Sequence, residues 1–528
     1  MTAPAGEASP PRGSRASILV ATGILASRLA GLVRQRVFSF YFGTSPEADA
    51  FNAAFRIPNI LQNLLGEGVL SASFIPVYAQ LRARDEHDAR QRVAGAVLGT
   101  LALVSAVVVL AGVLLAPVLV DLIAPGFDGA KRDLTVQLVR ILFPGAGLFV
   151  MSAWCLGVLN SHGKFLLSYA SPVLWNAAMI TALLVYGRTL ALPALAVAIA
   201  WGSVIGSALQ VLVQWPAVHA VLGAWRISLG RGLQHARDVY RNFIPALLGR
   251  GVTQLSAYLD AYIASFLIDG SVTILANAQL LYMLPVSLFG MAVSAAELPA
   301  MAGVTGDAEA VKTVLRERLD AGLRRIAFFV VPSAVALMAI GDVVGGLVYR
   351  GGAFDIADTQ WLWATVAAAA VGLVGATLGR LYASTLYALR DARAPQRFAI
   401  VRVSLNAVLG VAGALWLAPR FGLDGRWNVV LLALASGTAA WVEFTLLHRE
   451  VRGRIGGGQL PLRRFGALLT CALVAAAAAW AMKVAFGARV TFIGEATICA
   501  VFAVTYGGAT LLAGVPEARS LVRRIRRV

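Results

Sequence analysis

The sequence predicts an all-α, polytopic membrane protein. About fourteen transmembrane helices are expected, as two six-helix lobes plus two extra helices at the C-terminal end. Three observations predict this. Of 528 residues, 59% are hydrophobic and 14% charged, whereas soluble domains are about 45–50% apolar and about 25% charged; the mean hydropathy is +0.75. The apolar residues come in runs long enough for a bilayer, which takes roughly 20 of them per crossing. Finally, Lys and Arg are dense in every second gap between those runs.

In chain order, the runs fall at 16–42, 48–80, 93–124, 134–159, 163–187, 191–222, 241–268, 272–304, 320–349, 358–388, 395–419, 427–447, 463–487 and 492–514. With the N-terminus inside, the inside gaps hold 29 Lys and Arg residues, concentrated at Arg82–Arg92, Arg226–Arg241, Lys312–Arg325, Arg449–Arg464 and Arg519–Arg527. The outside gaps hold 7: Lys131, Arg132, Arg188, Arg350, Arg420, Arg426 and Arg489. The alternation predicts an even helix count and two cytoplasmic termini. It also explains the net charge of +18 by membrane topology, not by nucleic-acid binding.

The expected organisation is a disordered cytoplasmic tail over 1–15, an N-lobe over 16–222 and a cytoplasmic amphipathic linker over 223–240. A C-lobe over 241–450, two further helices over 451–514 and a basic cytoplasmic tail over 515–528 follow. The gaps Trp225–Arg241 and Asp307–Arg325 read as amphipathic segments lying on the membrane surface, or as plain basic linkers. Gly66-Glu67-Gly68-Val69-Leu70-Ser71-Ala72-Ser73-Phe74-Ile75-Pro76 and Gly290-Met291-Ala292-Val293-Ser294-Ala295-Ala296-Glu297-Leu298-Pro299 end the second and eighth runs and suggest an internal repeat. Cys155, Cys471 and Cys499 lie in apolar runs with no metal-site spacing. No phosphate-binding loop or nucleotide fingerprint is present, and no enzyme activity is expected.

The charges inside apolar runs carry the functional reading. The first run holds Arg28, Arg34 and Arg36, and the second Asp49, Arg56 and Glu67. A charge at a helix centre costs roughly 2.5–3.5 kcal/mol on insertion scales, so these residues are expected to face a protein cavity. Guanidinium forks suit phosphate and carboxylate. A phosphate-headed amphiphile would fit, its head among the arginines and its tail in lipid, with Asp49 and Glu67 pairing the arginines when the cavity is empty. Arg140, Arg250, Asp260, Glu297, Arg380, Arg402 and Glu443 are also embedded. Most lie near run ends, where pairing or snorkelling explains them. Asp260 lies mid-run and is a cation-site or proton-relay candidate, or a carboxylate bonded within the bundle.

The stretch Ser27-Arg28-Leu29-Ala30-Gly31-Leu32-Val33-Arg34 is followed by Phe42-Gly43, Asp49-Ala50-Phe51, Ala54-Phe55-Arg56-Ile57-Pro58-Asn59 and Gly66-Glu67-Gly68. Together these resemble the N-terminal signature of the MurJ (MviN) lipid II flippase family of the MOP transporter superfamily. Ala264-Ser265-Phe266-Leu267 with Gly270-Ser271-Val272, and Tyr382-Ala383 through Leu389-Arg390-Asp391 to Pro395, resemble later junctions of that family. The resemblance implies a monomeric bacterial inner-membrane protein that moves the undecaprenyl-pyrophosphate-linked peptidoglycan precursor by alternating access. It implies substrate-binding roles for Arg28, Arg34, Asp49, Arg56 and Glu67. It also implies an ion-coupling site at Asp260, Asn406 and Ser436 with Na+ as the coupling ion, and no other cofactor. The chain departs from the family pattern at Gln62 and Leu280, where arginines are common, at Met283, often polar or acidic, and at Gly410, often a carboxylate. Two other readings use the same charges: export of another polyprenyl-linked glycan, and cation-coupled antiport of small solutes through Asp260.

Overall fold

A bilayer offers no water to exposed backbone, so a spanning chain satisfies its N–H and C=O groups within helices. The computed structural model follows this rule. It describes residues 12–223, 225–230, 234–304, 307–457, 462–487 and 491–525, and among them there are helices and no strands. In order these are α1 (Arg12–Phe42), α2 (Pro46–Leu65), α3 (Glu67–Ala83), α4 (His87–Leu114), α5 (Ala116–Ile123), α6 (Gly129–Ser161), α7 (Phe165–Ala170), α8 (Pro172–Tyr186), α9 (Leu192–Leu222) and α10 (Gln234–Ser265). Next come α11 (Ser271–Pro285), α12 (Ala292–Ala302), α13 (Ala308–Tyr349), α14 (Ile356–Ala370), α15 (Leu373–Ala388), α16 (Arg393–Gly410), α17 (Ala418–Arg420), α18 (Arg426–Ile455), α19 (Leu462–Phe486), α20 (Phe492–Leu512) and α21 (Pro516–Ile525). Each predicted run coincides with one helix or with a helix interrupted once. Among the described residues, ten helices are long and apolar enough to cross a membrane, or eleven when α14 and α15, bent by 42°, count as one span. The runs at 16–42, 48–80 and 241–268 are helical too, as α1, α2–α3 and α10.

The chain divides into two units, Met1–Tyr258 and Leu259–Val528. In the first, α6 packs on α2, α4 and α9. One apolar core gathers Phe38, Phe42, Phe51, Leu142 and Met179, and a second gathers Phe74, Tyr78, Trp154 and Leu222. Ser45 caps α2 by accepting from the Ala48 N–H, with Pro46 at the first helical position. This start sets Asp49 in the first turn. Gly66 interrupts α2 and α3. The segment expected to be an amphipathic surface linker is different. Residues 225–230 are non-helical, the Ser228 N–H donates to the Gly95 carbonyl, and Trp225 packs against Trp154 and Trp215. From Gln234 onward the chain is already α10. The half-buried Trp225 ring thus packs this linker against the first unit's own aromatic residues.

In the second unit, Asp307–Arg325 is not a separate surface helix. Asp307 caps α13 through the Ala310 N–H, and the helix is kinked at Ile340; the part before the kink, 308–339, is about 48 Å long at 1.5 Å per residue. That exceeds a hydrocarbon core of about 30 Å, so its basic end extends past the apolar zone. Two π turns, Val286–Met291 and Val411–Leu417, interrupt α11–α12 and α16–α17. Gly66 and Gly290, the matching glycines of the suggested repeat, both fall at such interruptions. The two C-terminal helices join α13 by ion pairs, Lys483 to Asp342 at 2.5 Å and Arg350 to Glu495 at 2.9 Å.

At the α14–α15 bend, Gly372 meets Gly437 of α18 backbone to backbone. A Cβ on Gly372 would lie 2.3 Å from the Gly437 Cα and 2.6 Å from its carbonyl oxygen. Small residues let membrane helices approach this closely, and neither partner has a flexible side chain that can yield. Gly372→Ala is therefore expected to destabilise the protein by about 1–3 kcal/mol, read as a lowered unfolding midpoint in detergent. An unchanged midpoint contradicts the close crossing.

Candidate functional site

Arg34 lies on α1 within the apolar stretch. Its guanidinium sits 4.8 Å from the Trp175 ring centroid and 5.7 Å from that of Phe55, and those two rings stack on each other. Nη1 also donates to the Met179 sulfur at 3.8 Å. The aromatic faces hold the cation electrostatically without neutralising it. Arg34 lines a narrow cleft with Asn52, Phe55, Phe51 and Met179. Among the described residues, no carboxylate lies within ion-pair distance of it. The result is a positioned, uncompensated fork of donors of the kind that receives a phosphate.

The other expected first-unit residues are placed differently. Arg28, six residues earlier on α1, is exposed. Asp49 is fully buried and forms an ion pair with Lys131 of α6 at 3.0 Å. Lys131 in turn lies 4.1 Å from the Phe127 ring centroid. Sequence reasoning missed Lys131 because it counted as a loop cation. Arg56 is half-buried on α2, and its backbone carbonyl accepts from the Tyr258 hydroxyl at 3.4 Å. Glu67 opens α3, but its side chain lies outside the described residues, as does that of Arg250.

In the second unit, Asn406 of α16 donates through Nδ2 to Asp260 Oδ1 of α10 at 2.7 Å. Among the described residues, the Asn406 side-chain oxygen Oδ1 is buried without a hydrogen-bond partner. Ser436 is half-buried on α18, and among the described residues no hydrogen bond joins it to the pair. At Gly410 a Cβ would meet the side-chain ends of Leu432 at 2.8 Å and Ile263 at 3.2 Å, so a ligand side chain there would require those ends to shift. A hard cation takes oxygen ligands, and this corner supplies Asp260 and the Asn406 amide oxygen. A separate ion pair joins Arg402 of α16 to Glu443 of α18 at 3.1 Å.

The family model described as Lipid II flippase MurJ matches residues 38–496, a span holding the Asp49–Lys131 pair and both second-unit groups. The chain belongs to the MurJ family. It is 32% identical over 431 residues to the lipid II flippase MurJ of Burkholderia cenocepacia, covering 80% of this chain and 83% of that one. It is 30% identical over 463 residues to the probable lipid II flippase MurJ of Rhizobium meliloti, covering 86% and 84%. A solved lipid II flippase MurJ in an inward closed conformation superposes with a TM-score of 0.76 at 20% identity, covering 96% of this chain and all of that one. An inward-facing multidrug MATE transporter of the MOP superfamily superposes at 0.63 and 16% identity, covering 84% and 98%. These two likenesses establish a shared multi-helix transporter fold. The chain is thus a multi-pass membrane protein of the MurJ flippase family.

Proposed function

We propose that this chain flips lipid II, carrying the polyprenyl-pyrophosphate-linked peptidoglycan precursor across the bacterial inner membrane by alternating access. In this reading it works as a monomeric, non-enzymatic transporter with both termini cytoplasmic. The observation that carries it is Arg34, an uncompensated guanidinium held in an apolar cleft, in a chain that matches the flippase family over most of its length. Phosphate oxygens accept from such a fork, while the polyprenyl tail stays in lipid. Arg28, Arg56, Asp49 and Glu67 complete the proposed substrate path. Depletion of the protein in its host, with outer-leaflet lipid II as readout, tests the reading. Exposure is expected to fall, and undiminished exposure in a host without another flippase overturns it.

A coupling ion belongs to the same proposal. When bound, Na+ would be held by Asp260 and the Asn406 amide oxygen, with the Ser436 hydroxyl on α18 as a further candidate. Its charge would offset that of the Asp260 carboxylate. Asp260→Asn is expected to remove any dependence of flipping on a sodium gradient in proteoliposomes while leaving voltage-driven flipping. Equal sodium dependence in the variant counts against Asp260 as the ion site. Drug uptake by the wild type, abolished in the same variant, would instead favour small-solute antiport.

A further inference from the structure

Apart from the Arg34 cleft, the first unit has a cavity of about 620 Å³ walled by α5, α6 and α9, a volume within the roughly 300–1,000 Å³ of small-ligand sites. Its lining includes Asp133, Gln137, Arg140 and Ile141 of α6, Pro117 of α5 and Trp201 of α9. Asp133, Gln137 and Arg140 are all exposed, and spacings of four and then three residues set them in a row along one helix face. Arg140 lies eleven residues beyond the start of α6 at Gly129, and Trp201 nine beyond the start of α9 at Leu192, about 16 Å and 14 Å along the helix axes. On the same walls, Val118 of α5 and Ile205 of α9 are exposed and apolar, so in a membrane the cavity opens to lipid.

The charges around this cavity are unequally compensated. Arg132, at the mouth, donates to Asp121 of α5 from Nε at 2.6 Å and from Nη2 at 2.8 Å. It reaches Asp133 only at 3.8 Å, and the Asp133 side chain stays 80% exposed. Among the described residues, Arg140 makes no hydrogen bond and no ion pair. An uncompensated cation facing lipid is costly, and an anion that neutralises it in place is bound correspondingly well. A helical side chain leaves its Cα towards the helix start, and snorkelling carries a guanidinium the same way. Both effects direct the Arg140 fork along the row, towards Gln137 and Asp133. Going outward along α6, the cavity therefore offers an apolar wall at Ile141, a guanidinium, an amide and a carboxylate. A zwitterionic phospholipid has the same order: acyl chains, phosphate, then ammonium.

We propose that this cavity binds a phospholipid whose head carries a primary ammonium, the phosphate accepting from Arg140 and Gln137 and the ammonium donating to Asp133. The loop charges put the starts of α6 and α9 outside, so the lipid belongs to the outer leaflet. Trp201 then lies beside the head group, where indole rings favour the membrane interface. Asp121 has a positioning role: by holding Arg132 it leaves Asp133 available to the ammonium. A head with a quaternary ammonium cannot donate to Asp133, and a head with no amine sets its phosphate charge against that carboxylate unrelieved. The site is separate from the Arg34 cleft and does not depend on the flippase reading.

The test uses the full-length chain in detergent and measures the dissociation constant of the first bound lipid by native mass spectrometry. The probes are phosphatidylethanolamine, phosphatidylcholine, phosphatidylglycerol and lipid II. The wild type is expected to bind phosphatidylethanolamine about tenfold more tightly than the other two phospholipids. Asp133→Asn is expected to abolish that preference, and Arg140→Gln to weaken phosphatidylethanolamine about tenfold, with lipid II binding and the unfolding midpoint unchanged in both. No preference in the wild type, or a preference that survives either variant at an unchanged midpoint, overturns the proposal. Loss of lipid II with phosphatidylethanolamine retained in Arg140→Gln also overturns it, and assigns the cavity to the substrate. Should Arg140→Gln lower the midpoint, the Asp133→Asn comparison decides alone.

Discussion

Lys131→Ala is expected to cost about 3–5 kcal/mol of stability, because it leaves Asp49 as a buried carboxylate without its countercharge. The Asp49 side chain is 1% exposed and that of Lys131 13%, so water cannot take the lysine's place. The loss should appear as a large fall in the thermal midpoint of the solubilised protein. Asp49→Asn combined with Lys131→Met is expected to recover most of it, since replacing both partners of a buried pair by neutral residues of similar size is often close to neutral. A single variant that unfolds with the wild type, or a double variant worse than the single, would show that the pair does not hold α2 to α6.

Arg34→Ala should do the reverse: flipping falls by about 100-fold or more, while stability changes little. A hydrogen bond to a charged group contributes about 1.5–3 kcal/mol, and losing several to one phosphate gives a rate effect of this size. The folded protein gains little from Arg34, which has aromatic faces but, among the described residues, no ion-pair partner to lose. Arg34→Lys keeps the charge but not the planar fork, so intermediate activity is expected. Outer-leaflet lipid II is the measurement, run beside a thermal unfolding curve. A parallel loss of stability and activity would make Arg34 a structural residue, and full activity would remove it from the substrate path.

Much of this was legible in the sequence, because hydropathy reports burial in lipid directly. Every predicted apolar run is a helix or a broken helix. Arg34, Asp49 and Asp260 stood out because charge inside an apolar run needs a reason, whereas Asn406 was named only through the family resemblance. What the pattern could not supply was convergence. Lys131 meets Asp49 from 82 residues away, and counting loop charges filed it as topology. Arg402 and Glu443 each read as a charge near a run end, because one-dimensional distance from a loop does not show that two helices pair them at 3.1 Å. At 225–230 the packing of Trp225 against Trp154 and Trp215 was likewise invisible in the charge pattern, because it depends on residues far apart in sequence.

A helical wheel drawn straight through 271–302 places everything past Met291 on the wrong side. A π turn holds about one residue more than an α turn, and one residue is about 100° of rotation. Beyond the turn at Val286–Met291, Glu297 lies within 3.4 Å of Arg318 and 3.6 Å of Arg325 on α13. Gaining or losing a single residue in that turn would swing Glu297 to another face without altering the side chain itself. Each π turn is thus a rotary adjuster in the primary structure, through which a one-codon insertion or deletion can re-aim half a membrane helix and leave its apolar composition untouched.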